Sequence, residues 1–558
     1  MKDGFRQSMA WLHTWVGLVV GWVLFFVFVT GTAGYFSDEI DRWMRPELPL
    51  AERLDDVDRG ALLALALTRL ETVAPGAARW TVELPHEGLQ PRGPRGLSIA
   101  WEELPERGQR QGRRGREALD PSSGEPAEAV EPRATGGGML LYRMHYLLHY
   151  FPRSVGILLV GACTMLMLLA ILTGIITHAK IFKDFFTFRA GKGQRSWLDA
   201  HNVISVMALP FFLMITYSGL MFFPLQYMPA AISTVYGTSP PQLRTFIDEF
   251  FERADTTRLP LVRPEVSLMR MIDTAEAEWG ARQVVAIEVG HVEGAVPHVD
   301  IRRAHGTQID FRDPETMRFN AVSGERIAGD PPTHAVGKTR NVMYALHEGV
   351  FAGIGLRWLY FAAGLLGCGM IGTGLVLWTV KRRKRHDKRD AASVFDAAGL
   401  RLVEVLNIGT IAGLPVAVAA YFWANRLLPL EIADRAQWEV HCMFLVWGWT
   451  FLYASLRPLR RAWIEVFWLA AAAFALLPVV NALTTERHLG ITLPQGDWVL
   501  AGFDLTLLGL AAAFVYIAGK LQRKWRHAPV LVPEGAGHEA AERSDGEDWS
   551  VDEAGATR

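Results

Sequence analysis

Between Ser154 and Thr177 the chain runs for 24 residues without a charged side chain. A helix rises about 1.5 Å per residue, so this run covers the roughly 30 Å of a bilayer's hydrocarbon core. Histidines stand at both of its ends: His145 and His149 precede it, and His178 closes it. Imidazoles at both faces of a membrane helix point to haem iron held near each face, and so to an electron path across the membrane. Taken singly, such histidines read more simply as residues resting in the headgroup layer. The haem reading gains weight because other helices carry histidines at matching depths.

Hydrophobic residues make up 50% of the sequence and fall in blocks of the same kind, which marks an integral membrane protein. Eight spanning candidates follow: about 11–36, 154–178, 201–226, 355–380, 401–424, 437–456, 461–484 and 498–519. The N-terminal run has no small-residue cleavage site behind it and reads as a retained first helix. Lys2 and Arg6, the loop from Lys180 to Arg195, KRRKRHDKR (381–389), Arg457 to Arg461, and Lys520 to Arg526 all fall on one side of this arrangement. Basic loops stay inside, so that side is expected to be the cytoplasm of a bacterial inner membrane, with both termini there. The expected organisation is helix one (1–37), an outer module (38–140), helices two and three (141–226), a second outer module (227–345), helix four with its basic loop (346–385), a four-helix extension (400–520) and a disordered tail (533–558). The net charge of −1 gives no reason to expect a nucleic-acid partner. Cys163, Cys368 and Cys442 form no CxxC, which removes a zinc ribbon and a covalent CxxCH haem; any haem is b-type.

The two outer segments repeat one pattern. The first has a helix (Gly60–Val73), strands at 79–85 and 96–103, and ALDPSSGEPAEAV (118–130). The second has a helix (Ser267–Trp279), strands at 283–290 and 298–304, and RFNAVSGERIAG (318–329). Each is a helix on a small antiparallel sheet ending at a Ser-Gly-Glu turn. RGQRQGRRGRE (107–117) reads as a loop between them.

The combination resembles the PepSY-associated transmembrane family. The residues that carry the resemblance are WLHTWVGLVVG (11–21), LTGIITHAKIFKDFF (172–186), SWLDAHNVISVMALPF (196–211), both Ser-Gly-Glu turns and YALHEGVF (344–351). It covers residues 1–385 and leaves the last four helices outside. It implies an α-helical integral membrane protein of about eight spans with two small α+β PepSY-like modules in the periplasm. The family includes iron-regulated inner-membrane proteins, among them di-haem reductases of ferric siderophores.

The histidines sort by depth under this topology. His13, His178 and His201 lie at the inner face, and His145, His149 and His347 at the outer. Two haems, each with two axial imidazoles, suit electron transfer because no iron position is left open for oxygen. Neutral imidazole ligates iron, and its other nitrogen needs a fixed partner. Asp199 and Asn202 near His201, and Glu348 beside His347, are candidates for that part. The i,i+4 spacing of His145 and His149 is expected to place both on one helix face, a spacing that also suits chelation of one ion, though no HExxH is present. Pro152 is expected to kink the start of helix two. His441 reads as an interfacial residue. Gly367–Gly372 matches GxGxxG, but inside an apolar run it reads as close packing of helices or of a flat macrocycle, as do Gly17, Gly21, Gly31, Gly34, Gly156, Gly161, Gly364 and Gly374. Glu404 and Glu465, near the inner face, carry no assigned role.

The reading is therefore a ferric-siderophore or ferric-chelate reductase, with electrons from a quinol or a separate cytoplasmic reductase. Two alternatives stand beside it. One is a siderophore or haem permease, for which internal repeats speak but broken helices are not evident in the sequence. The other is a membrane anchor whose PepSY modules bind or inhibit periplasmic proteases.

Overall fold

The computed structural model describes residues 3–48, 58–85, 96–106, 112–127, 132–178, 188–189, 191–250, 257–304, 309, 316–327, 335–386 and 394–526. The expected disordered tail and residues 107–111 of the 107–117 connection lie outside these residues. Six described helices are long and apolar enough to cross a membrane: Gly4–Gly34, Arg153–Thr177, Ile354–Lys384, Asp396–Leu427, Leu459–Thr484 and Trp498–Arg526. The stretch expected as a third span is two helices, Gln194–Met207 and Leu209–Gly219, bent by 67°; counted as one, they make a seventh. Pro210 accounts for the break, because it has no N–H to donate and its ring collides with the carbonyl one turn back. A broken membrane helix is thus present after all. The stretch expected at 437–456 is the helix Arg435–Leu456, which has the length of a span but is less apolar than the six and buries Arg435 and Glu439.

The first span packs along the second (Arg153–Thr177) and the fourth (Ile354–His386), and Gln194–Met207 packs on the fourth. The C-terminal helices share an apolar core with this group. Phe25 and Phe26 of the first span and Trp43 of the helix Ser37–Met44 meet Leu414, Met443, Phe474 and Leu507 there. A polar clamp completes the junction. The Trp43 indole N–H donates to Asp504 at 2.9 Å, and the Arg426 guanidinium lies 3.7 Å over the Trp43 ring. Asn481 accepts from Arg426 at 2.9 Å and donates to Asp504 at 3.2 Å.

The outer repeats form one sheet, not two. Its six antiparallel strands run β3 (Arg114–Ala118), β2 (Ser98–Glu102), β1 (Arg79–Glu83), β4 (Val284–Gly290), β5 (His298–Arg303) and β6 (Thr316–Asn320). The β1–β4 pair joins the halves, with Thr81 opposite Glu288, and removes two bare strand edges that separate modules would have exposed. Helices Arg59–Val73 and Leu268–Trp279 bury Leu63, Leu70, Met271 and Trp279 against Trp80, Val82, Ile287 and Val289. Burying one such side chain is worth about 1.5–3 kcal/mol. Arg79 and Glu288 are 23% and 12% exposed, and the cost of desolvating such a pair offsets much of its attraction. The apolar seam therefore outweighs its Arg79–Glu288 contact at 3.1 Å.

Both Ser-Gly-Glu turns adopt the same form. Gly124 and Gly324 have φ of 71° and 72°, where a side chain would be strained. Asp120 and Asn320 each accept two backbone N–H groups of the turn, at 2.8 and 3.1 Å in both cases. The third strand of the first repeat precedes the expected stretch: RGREA is a strand and 118–127 is the turn. Its arginines read as loop, yet charged side chains are what an exposed edge strand carries. Gly115 lies against Trp101 of β2, where a methyl group would come within 2.1 Å of the indole.

Candidate functional site

Four of the six expected histidines come together, and they do so in two pairs. His13 and His201 face each other with ring centroids 6.2 Å apart. His145 and His347 do the same at 5.9 Å. An imidazole nitrogen bonds a first-row metal at about 2 Å and its ring centre lies about 1.2 Å behind, so two imidazoles on opposite sides of one ion stand about 6.3 Å apart. Both pairs have that separation. Each takes one histidine from each half of the chain.

The other ring nitrogen is fixed in every case. The Nδ1–H of His13 donates to the Ala170 carbonyl at 2.8 Å, that of His145 to Val27 at 2.8 Å, and that of His201 to Met370 at 2.9 Å. His347 Nδ1 lies 3.1 Å from Ser218 Oγ, whose own hydrogen goes to the Met214 carbonyl, so the hydroxyl oxygen accepts here. A carbonyl only accepts, so Nδ1 carries the proton and Nε2 presents its lone pair. Outside the spans, burial pushes His145 below the usual histidine range. Burial, with His145 nearby, pushes His347 down to about 3. Both are neutral, which is the ligating form.

A glycine seats each ring. A methyl group on Gly31 would fall 2.4 Å from His145 Nδ1, and one on Gly219 would fall 2.9 Å from His347 Cε1. Gly174 and Gly374 stand in the same relation to His13 and His201, at 3.2 Å in each case. For His13, His145 and His201 the accepting carbonyl belongs to the residue four before the glycine, and a Thr or Ser precedes the glycine in all four seats: Thr30, Thr173, Ser218 and Thr373. The seat is exchanged within each half. His13 on the first span rests on the second, and His145 before the second span rests on the first. His201 and His347 repeat this between the third and fourth. Eighteen residues separate His13 from Gly31, and eighteen separate His201 from Gly219. Along the continuous first span that interval is about 27 Å, so the two pairs stand about a bilayer core apart.

His149 and His178 join neither pair. The helix Gly137–Leu147 ends before His149, and Leu148 and Tyr150 take φ of 52° and 71°. His145 and His149 therefore share no helix face and cannot chelate one ion from it. Pro152 caps a new helix here and does not kink an existing one. His149 turns toward the C-terminal helices, with Phe444 stacked at 5.8 Å and the Gln437 amide 3.2 Å from its Nε2. His441 is no isolated interfacial residue: it stacks on Tyr150 at 5.8 Å and hydrogen-bonds its hydroxyl. His178 caps the second span near the His13–His201 pair. The expected partners of the imidazoles differ as well. Asp199 is held by Arg189 at 2.8–3.0 Å, and Glu348 bonds the Tyr142 hydroxyl.

Among the described residues no three His, Cys, Asp or Glu side chains gather around a metal position. Two imidazoles per site leave four equatorial positions to a macrocycle, so the donor set fits a b-type haem and not a bare ion. Gly367 and Gly364 of the GxGxxG region pack against Phe28 and Thr32 of the first span, as close helix packing requires, whereas Gly17 faces open space. Sequence reasoning passed over the hydroxyl–glycine pairs, although the dipeptide stands in each of the four spans. It also passed over the buried Asp504 and the Arg435–Glu439 pair, at 2.6 Å, which anchor the C-terminal helices. Glu404 and Glu465 are bound to Arg383 and Arg457.

A family model described as "PepSY-associated TM region" matches residues 10–381. An uncharacterised protein of Pseudomonas aeruginosa is 25% identical over 412 residues, which cover 71% of this chain and 96% of that protein. Both imidazole pairs and the whole sheet lie inside the family match; residues 394–526 lie beyond it.

Proposed function

The chain belongs to the PepSY-associated TM family, and we propose that it is a di-haem oxidoreductase that carries electrons across the inner membrane to ferric siderophores or other ferric chelates on the periplasmic side. One observation carries this reading: two imidazole pairs, at 6.2 and 5.9 Å, about a bilayer core apart, with every Nδ1 proton on a fixed acceptor. His13 and His201 would hold the haem at the basic end of the helices, and His145 and His347 the one at the sheet end. Bound there, the two haems supply one-electron carriers with no open iron position.

The chain's own residues supply placement. The glycine seats set each ring against a helix, and a carbonyl or hydroxyl oxygen holds its proton. The basic loops support a cytoplasmic position for the His13–His201 end, where a quinol or a separate reductase would be the donor. The segments that carry His145 and His347 each follow one half of the sheet in the chain, which supports a substrate mouth at that end. A ferric chelate too polar for lipid would meet the outer pair there. Ferric iron is held tightly by hard oxygen ligands and ferrous iron far less well, so reduction releases the metal without an acid–base residue. No catalytic side chain beyond the four ligands is needed.

The break at Ala208 joins the internal repeats in favour of a permease, since transporters bind substrate at broken helices. A single experiment separates the readings. Dithionite-reduced protein, kept anaerobic, should be reoxidised by ferric siderophores while a chromogenic chelator traps ferrous iron. Haems that stay reduced before a range of ferric chelates, together with siderophore uptake into proteoliposomes without reductant, would favour the permease.

A further inference from the structure

Serine and threonine often return their hydroxyls to the helix backbone. Thr14, Thr164, Thr177 and Thr506 do this here, each to the carbonyl four residues back, at 2.7 Å in every case. Four hydroxyls behave differently. Thr30 bonds the carbonyls of Phe26 and Val27 at 2.8 and 3.2 Å, and Thr173 those of Leu169 and Ala170 at 2.8 and 3.0 Å. Ser218 bonds Met214 and Ile215 at 2.6 and 3.4 Å, and Thr373 bonds Gly369 and Met370 at 2.7 and 3.0 Å. Among the described residues these are the hydroxyls that reach both carbonyls. In Thr30, Thr173 and Thr373 the nearer one in sequence, three residues back, is the carbonyl that takes the imidazole proton; at the fourth the hydroxyl itself, Ser218 Oγ, is what His347 Nδ1 meets.

We propose that Thr30, Thr173, Ser218 and Thr373 are positioning residues that set the donor strength of the four imidazoles, and so the reduction potentials of the two sites. This rests on the di-haem reading. The physical chain is short. Two donors on one carbonyl share its electron density, and each bond is weaker than it would be alone. A weaker Nδ1–H···O bond leaves the imidazole less basic at Nε2, and a less basic ligand stabilises ferric iron less. The threonine hydroxyl therefore holds the potential up. In the second half of the chain the hydroxyl also meets the ring itself, with Ser218 Oγ 3.1 Å and Thr373 Oγ1 3.4 Å from Nδ1. Ser218 accepts the His347 proton directly and so holds the potential down. The four glycines admit the rings, and the four hydroxyls tune them.

The test uses the full haem-loaded chain and reads potential and ferric low-spin resonance spectra, not turnover. Thr30→Val should lower the midpoint potential of the sheet-end haem, Ser218→Ala, which removes an acceptor of the His347 proton, should raise it, and both should leave the other haem unmoved. Thr173→Val and Thr373→Val should lower the potential of the basic-end haem and leave the sheet-end haem unmoved. Thr30→Ser and Thr173→Ser, which keep the hydroxyl, should restore the original values. Fully loaded variants with unchanged potentials, or shifts of equal size at both haems, overturn the proposal while the di-haem reading stands. Thr30→Ala and Thr173→Ala guard against failure to load; a site emptied by valine and alanine alike makes the hydroxyl structural, which also overturns it. Absence of haem from the unsubstituted protein overturns the di-haem reading and this proposal with it.

Discussion

His13 and His201 face each other across 6.2 Å, and each hangs its Nδ1 proton on a helix of its own half of the chain: Ala170 for His13, Met370 for His201. The pair is made between the halves, but each member is aimed from within one. His145 and His347 repeat the arrangement at the other end. A defect at one ligand or one seat should therefore empty one site without disturbing the other's geometry.

Ligand substitutions test that directly. His13→Ala or His201→Ala should remove the basic-end haem and spare the other. His145→Ala or His347→Ala should do the converse. His149→Ala should keep both, because its ring is turned to Phe444 and Gln437. Haem per chain and the reduced-minus-oxidised spectrum of each variant decide it.

The seats can be filled without touching a ligand. Gly31→Leu and Gly174→Leu should each displace one imidazole, since a methyl group alone would already fall 2.4 and 3.2 Å from the ring. One haem of two should be lost. Gly17→Leu, on the same span as Gly31 but with nothing within 4 Å, should retain both. Haem content of the three variants, purified alike, is the measurement.

The C-terminal helices make a separate prediction. Trp43 is 1% exposed, donates to Asp504 and lies under Arg426. Trp43→Ala should cost about 3–5 kcal/mol for the lost packing. It also strands a buried carboxylate, which adds to that cost. The melting temperature in detergent should fall well below that of Trp43→Phe, which keeps most of the ring.

Orientation follows from the basic loops and is checked by fusions. A fluorescent protein after residue 385 should mature in the cytoplasm, and alkaline phosphatase near Gly290 should be active. Inactive phosphatase there would exchange the faces assigned to the two pairs.

Much of this was legible in the sequence because it is local. The Ser-Gly-Glu turns, the repeat of helix and strands, and the histidines at span ends are all short patterns. The pairing was not legible, because His13 meets His201 only through the order in which four helices pack. The break after His145 was hidden too: nothing in Leu148 or Tyr150 announces a left-handed backbone, and i,i+4 spacing reads as one helix face. The joining of the two repeats into one sheet depends on β1 and β4, which are far apart in the chain. The hydroxyl–glycine pairs were open to view and carried a signal, but only alongside the histidines they seat.

The central claim is that each imidazole pair holds one haem. Purified protein, assayed for haem by pyridine haemochrome and scanned reduced and oxidised, should give close to two b-type haems per chain with low-spin spectra, falling to one in His13→Ala and none in the His13→Ala, His145→Ala double variant. Unsubstituted protein without haem, or a double variant that keeps its full complement, would contradict it.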